Sequence, residues 1–146
     1  MADIEHQISI ARPISDVFNA ATQYEDETAL RQWQTSIVSL GVTAGKPLRT
    51  GSMIGMTKRF MSGKVFVNFD VIDLQRNKRF EVKGVHGRFA FRREIEFSPS
   101  GRDTTIRDQI TLQIPWLYIL FRPFVRAALI KQTGQEWLAL KKLLET

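Results

Sequence analysis

From residue 36 to 114 the chain reads as strand and turn almost throughout, and this limits its possible folds more than any other feature. Six stretches, 36–43, 51–60, 64–74, 79–85, 88–98 and 103–114, have strand character. The breaks between them, "TAGKPLRTG", "MSG", "RNK", "HG" and "PSGR", have turn chemistry. Stretch 64–74 alternates most cleanly, with Val65, Val67, Phe69 and Val71 facing one way and Lys64, Asn68 and Asp70 the other. A sheet with one apolar and one wetted face is antiparallel and covered on one side only. The breaks are short enough for successive hairpins.

The N-terminal text adds one more strand, "IEHQISIA", with Ile4, His6, Ile8 and Ile10 on one side. "RPISDVFNAATQ" reads as a short helix in which Pro13 suits the first position and Val17, Ala20 and Ala21 form a stripe. "EDETALRQWQ" is a second short helix or turn, acidic at its start. The cover for the sheet must come from the tail, "RPFVRAALIKQTGQEWLALKKLLE", predicted as a long helix from near Arg122 to Leu144. Its apolar arc holds Val125, Leu129, Leu140, Leu143 and Leu144, with Ile130 and Trp137 at one margin. Gln132, Thr133 and Glu136 fall inside or beside that arc, and Gly134 weakens the middle slightly.

The 146 residues suffice for one domain with a real core. There is no cysteine, which excludes disulfides and thiolate chemistry. The start, "MADIEHQISI", lacks the basic and apolar regions of a signal peptide, and the longest apolar run, "WLYILF", falls far short of the roughly 18 residues of a spanning helix. A cytoplasmic protein is therefore expected. The net charge of +6 is spread from Arg12 to Lys142 without a long block of like charge. That suits a weak preference for anionic surfaces, not specific nucleic-acid recognition. "GVTAGKP" has the wrong spacing for a phosphate-binding loop, with Pro where Ser or Thr must hold the metal. His6 and His86 stand on separate strands with no metal-site spacing, so neither a metal nor another cofactor is expected.

Charged residues out of place carry the chemistry. In "TTIRDQITLQI" alternation puts Asp108 on the apolar face, between Ile106 and Ile110. In the preceding strand Arg93 likewise interrupts Phe89, Phe91, Ile95 and Phe97. If Ser98 lies opposite Asp103, the hairpin sets Arg93 directly against Asp108, and the two form an inward ion pair. The other reading has both facing solvent at a bend or bulge. The pair is either structural or a polar anchor in an apolar ligand cavity. His6 is the third anomaly. It is either a satisfied core residue or, if its strand lies beside the last one, a proton-transfer partner of Asp108. Glu136 is either an acid or base facing a cavity or a residue at the helix edge with its head in water. No nucleophile stands in a nucleophile-elbow context.

"ISIARPISDVFNAATQYEDETALRQW", "LRTGSMIG" and the closing "RPFVRAALIKQTGQEWLALKKLLE" resemble, in turn, the opening strand and helix pair with its Trp, the Gly-bearing third strand and the final helix of the SRPBCC superfamily. That is the α+β helix-grip fold of START domains, birch-pollen-allergen-like proteins and the polyketide cyclase/dehydrase-like group. The resemblance covers nearly the whole chain. It implies a curved seven-stranded antiparallel sheet round the C-terminal helix, with an internal cavity for a small hydrophobic molecule such as a lipid, isoprenoid or polyketide-like compound. Phe89, Phe91, Phe97, Ile106, Ile110, Val125 and Leu129 are the expected walls, and Arg93, Asp108 and Glu136 the polar anchors. The alternatives are a cyclase- or dehydrase-type enzyme using His6, Asp108 or Glu136 as acid or base, and an interaction domain with a filled core. Trp33 is expected to pack. Trp116–Phe121, "WLYILF", is a cavity lid, a homodimer contact, a surface touching membranes transiently, or a segment packed beneath the first helices.

Overall fold

The computed structural model describes residues 2–146. In chain order the elements are β1 (Ile4–Ile10), α1 (Ile14–Ala21), α2 (Glu27–Arg31), β2 (Ile37–Ala44), β3 (Met53–Phe60), β4 (Gly63–Gln75), β5 (Arg79–His86), β6 (Phe89–Ser100), β7 (Asp103–Gln113), a 3₁₀ turn (Trp116–Phe121) and α3 (Arg122–Glu145). The strands form one antiparallel sheet in the order β1-β7-β6-β5-β4-β3-β2. Every neighbour but one is joined by a hairpin; β1 reaches β7 across the whole chain. The helix pair is set locally: Asp26 accepts from the Ala29 N–H at 3.0 Å and caps α2. The sheet curls until α3 fills its mouth. His6 Nε2 on β1 and Thr133 Oγ1 on α3 are 2.7 Å apart, while Gln132 Nε2 on α3 donates to the Arg59 carbonyl on β3 at 2.9 Å.

The β6–β7 hairpin departs from its expected register by two residues. Ser100, not Ser98, lies opposite Asp103, Phe97 faces Ile106, and Asp108 faces Ile95. Pro99 belongs to the strand rather than the turn. The Phe97 N–H points toward β5, donating to the Lys78 carbonyl, so the Pro99 nitrogen two residues on points the same way, where β5 has already ended. Its missing N–H therefore costs no ladder bond. The loop shrinks to Gly101-Arg102 with a positive φ of 64° at its first residue, as a type II′ turn requires. A slip of two preserves which face each side chain takes, so the ion pair survives on a diagonal. Arg93 Nε and Nη2 donate to Asp108 Oδ1 and Oδ2 at 2.9 and 2.7 Å.

The same carboxylate takes a third bond, from Trp137 Nε1 of α3 at 2.8 Å, and the Arg93 guanidinium lies 5.7 Å from the centre of the Trp137 rings. Asp108 is fully buried. Trp137, expected at the margin of the helix's apolar arc, is its anchor: it is buried and stacks on Trp33 at 5.3 Å. The buried face of α3 is Thr133, Glu136, Trp137 and Leu140, whereas Leu143 is exposed. Polar groups displaced the expected arc because each has a polar partner on the sheet.

Around this knot, on the side of α1 and α2, the core is solid. Phe18 meets Phe97 edge to face at 5.0 Å, and Ile106, Leu140, Val17 and Trp33 close the packing. Phe97 and Ile106, expected as cavity walls, are thus packed against helix side chains instead. "WLYILF" does not pack beneath the first helices either. Trp116 and Leu120 are about 80 and 82% exposed, and the segment lies at the opposite end, where Tyr118 meets Phe89 at 5.3 Å.

Replacing Asp108 by Ala leaves a buried guanidinium and an indole N–H unpaired, and should cost about 3–5 kcal/mol in urea unfolding. A variant as stable as the parent would show that the carboxylate holds no buried charge.

Candidate ligand-binding site

Away from the solid core the sheet and α3 part, and two cavities lie end to end. The inner one, about 90 Å³, is lined by apolar side chains of β4, β5 and β6, by Ile110 and Leu129, and by the polar groups of Tyr24, Lys58, Arg93 and Thr133. The outer one, about 310 Å³, is lined almost wholly by apolar residues, among them Phe60, Val65, Phe89, Leu112 and Val125. Val67, Phe91 and Leu129 belong to both walls and so stand between the two spaces. The outer cavity reaches the surface beside exposed Met61 and His86.

Phe91 owes its position to a glycine across the sheet. A Cβ on Gly84 would lie 2.4 Å from two Phe91 ring atoms and 2.8 Å from Phe69 Cδ1. The bare backbone therefore lets Phe91 and Phe69 lie over β5, edge to face at 5.5 Å.

The polar end of the inner cavity comes from three directions. Lys58 arrives from β3, on the same face as Ile54, Met56 and Phe60. Its ammonium is 3.8 Å from Glu136 Oε2. Burial pulls this ammonium below the ordinary lysine range; Glu136 opposes the shift and the charge of Arg93 adds to it. Tyr24 arrives from the loop between α1 and α2, is buried, and has its phenol raised above the ordinary value by burial. Arg93 arrives from β6. Burial alone would lower its guanidinium, but the charge and hydrogen bonds of Asp108 outweigh that and hold it above its ordinary value.

The expected site residues are divided by this geometry. Arg93, Phe91, Ile110 and Leu129 line the inner cavity, and Phe89, Phe91, Val125 and Leu129 the outer one. Asp108 does not reach the cavity, because it lies behind Arg93 with both oxygens engaged. His6 is opposite Asp108 in the ladder but bonds Thr133 instead. The Thr133 hydroxyl donates to the Leu129 carbonyl at 2.6 Å, so its proton is committed and His6 Nε2 must be the donor. Glu136 faces a separate groove with Trp33, Ser36 and Arg59; Ser36 Oγ donates to its Oε2 at 3.1 Å. Its Oε1 is buried without a hydrogen-bond partner among the described residues, and it meets the inner cavity only through Lys58.

Lys58 and Tyr24 were not anticipated. A signal existed for Lys58, which shares the inward parity of Ile54 and Met56. The other face of that strand, Met53, Gly55 and Thr57, is too weakly polar to declare which side is wet. Tyr24 sits in a loop, where no periodicity speaks.

No protein-family model matches the chain. No curated protein matches it either. Solved structures do. The START superfamily protein from Mycobacterium smegmatis is 13% identical with a TM-score of 0.74, over 97% of this chain and 96% of that one. Ara h 8.0201 is 11% identical with a TM-score of 0.74, over 97% and 95%. DynU16, a protein in the dynemicin biosynthetic locus, is 18% identical with a TM-score of 0.67, over 98% of this chain and 47% of that one. The chain shares with these structures a helix-grip fold, an antiparallel sheet of seven strands closed by a long C-terminal helix. Among the described residues no helix is long and apolar enough to cross a membrane.

Two outcomes follow from this geometry. Gly84→Ala should force Phe91 and Phe69 off β5 and cost about 1–3 kcal/mol in thermal or urea unfolding; an unchanged midpoint would mean the rings have room to give. In a pH titration of ¹³C-methylated lysines by NMR, Lys58 should lose its proton at lower pH than the exposed lysines. If it titrates with them, its ammonium is solvated.

Proposed function

We propose that this protein binds a small hydrophobic molecule across the two adjacent cavities and carries it, rather than transforming it. The observation that carries this reading is the outer cavity of about 310 Å³, nearly all apolar, which shares the walls Val67, Phe91 and Leu129 with an inner cavity that has a buried polar end. An apolar body and a few convergent polar groups are the usual make-up of a small-molecule site. The fold likeness to a START superfamily protein and to Ara h 8.0201 is in keeping with it. The acid–base alternative has less support. Asp108 does not line the cavity and both its oxygens are engaged, His6 is held by Thr133, and Glu136 stands behind Lys58.

The rim of the outer cavity supports a passing contact with an anionic lipid surface, through which an apolar ligand would enter or leave. Trp116, Leu117, Ile119, Leu120, Phe121 and Phe124 are all more than half exposed. Lys64, at the start of β4, and Arg88, in the β5–β6 turn, are exposed beside the cavity, and residues 60–65, 86–89 and 114–126 contain no acidic side chain, although Asp3, just before β1, pairs with Arg122. An exposed apolar patch with cations beside it suits lipid headgroups over an aqueous boundary.

Native mass spectrometry of freshly purified protein tests the binding reading: an added mass that extracts as one hydrophobic compound is expected. Absence of any adduct, together with failure to bind an apolar dye, would return the core to a filled one. For the surface, co-sedimentation with vesicles of phosphatidylcholine and phosphatidylglycerol should fall for Leu120→Glu. A parent protein that stays in the supernatant but runs as a dimer in sedimentation velocity would reassign the patch to self-association.

A further inference from the structure

The inner cavity is unusual in what its polar groups still have to offer. Lys58 Nζ makes no hydrogen bond among the described residues, since its nearest carboxylate oxygen is 3.8 Å away. Arg93 gives Nε and Nη2 to Asp108, and among the described residues no hydrogen bond engages its Nη1. The Tyr24 oxygen accepts from Gln34 Nε2 at 3.4 Å, while its own proton makes no hydrogen bond among the described residues. Thr133, the remaining polar residue of the wall, has already given its proton to the Leu129 carbonyl and faces His6. The inner wall thus presents three donor groups, two of them cationic, against only the second lone pairs of the Tyr24 and Thr133 hydroxyls as acceptors.

We infer that the inner cavity takes the carboxylate head of an amphipathic ligand, held by Lys58, Arg93 and Tyr24, with its hydrocarbon part in the outer cavity. This rests on the ligand-binding reading above and names the ligand class. A carboxylate is acceptor-only, so it satisfies these donors without bringing a proton that needs an acceptor. An alcohol or amide brings a proton whose only takers are the remaining lone pairs of Tyr24 and Thr133, and it leaves the Lys58 ammonium without a close counter-charge. Charge points the same way. Asp108 neutralises Arg93 with both its oxygens, whereas Lys58 has only the Glu136 carboxylate beyond hydrogen-bond distance. A ligand carboxylate would give Lys58 the close, charge-assisted bond it lacks. The division of the cavity matches this shape, with about 90 Å³ at the donor end and about 310 Å³ of apolar space behind Phe91.

The test is calorimetric titration of the whole protein with decanoate and, separately, with 1-decanol, which share a chain and differ at the head. Decanoate should bind at least about tenfold tighter. Lys58→Met should weaken decanoate by about tenfold to a hundredfold and leave 1-decanol nearly unchanged. Tyr24→Phe removes a donor without touching charge; it should show the same selectivity more weakly, and it serves if Lys58→Met does not fold. Equal affinity for the two probes, or a Lys58→Met variant that keeps its decanoate affinity, would overturn the inference while leaving hydrophobic binding intact. A parent that binds neither probe and no apolar dye would overturn the underlying reading as well.

Discussion

A single carboxylate holds the two halves of this fold together. Asp108 belongs to β7, Arg93 to β6 and Trp137 to α3, and all three meet through the oxygens of one fully buried side chain. A bare charge there would be untenable, because desolvation costs more than a strand gains. Arg93 supplies the countercharge, and the indole N–H the remaining donor. Once Asp108 must be satisfied, the hairpin register and the rotation of α3 are no longer independent. Turning the helix by one residue would withdraw the indole and turn Trp137 from Trp33 as well. Specificity of arrangement, more than net stability, is what such a buried polar knot supplies.

The cavity begins where this knot ends. Arg93 is the hinge between the two regions: one side of its guanidinium is engaged by Asp108, and the residue also lines the inner cavity. Burial works against the charge of both neighbouring cations, and their partners decide the outcome. Arg93 is held charged by a carboxylate at hydrogen-bond distance, while Lys58, with its carboxylate farther off, is pushed toward the neutral form. Glu136 separates the inner cavity from the groove beside Trp33, so one acid influences both spaces while lining only one.

Much of the fold was legible in the text. Alternation and turn chemistry placed all seven strands to within about two residues, and the long helix likewise. The ion pair was legible because two anomalies on adjacent strands resolve each other. Its register was not, since Pro99 reads as a turn residue until one sees that β5 stops short of it. The site was less legible. Phe97 and Ile106 share a face with true cavity residues, and only the positions of α1 and α2 decide that this end is filled. Lys58 escaped notice because its strand has little polar contrast, and Tyr24 because loops carry no period. The helix face misled for a related reason: an apolar arc marks a packed interface, and α3 borders a partly hollow one.

The core has a solid end, built round Phe18, Phe97 and Trp137, and a hollow end bordered by a small cluster of Ile4, Ile110 and Leu112. Folding and ligand choice are therefore drawn from different side chains of the same sheet. Changes at Val65, Phe89 or Val125 alter the shape of the hollow end without reaching the Asp108 knot. A chain partitioned in this way has room to drift in what it binds while keeping what it is. That is a physical reason for one backbone to recur in sequences sharing as little as 11% of their residues.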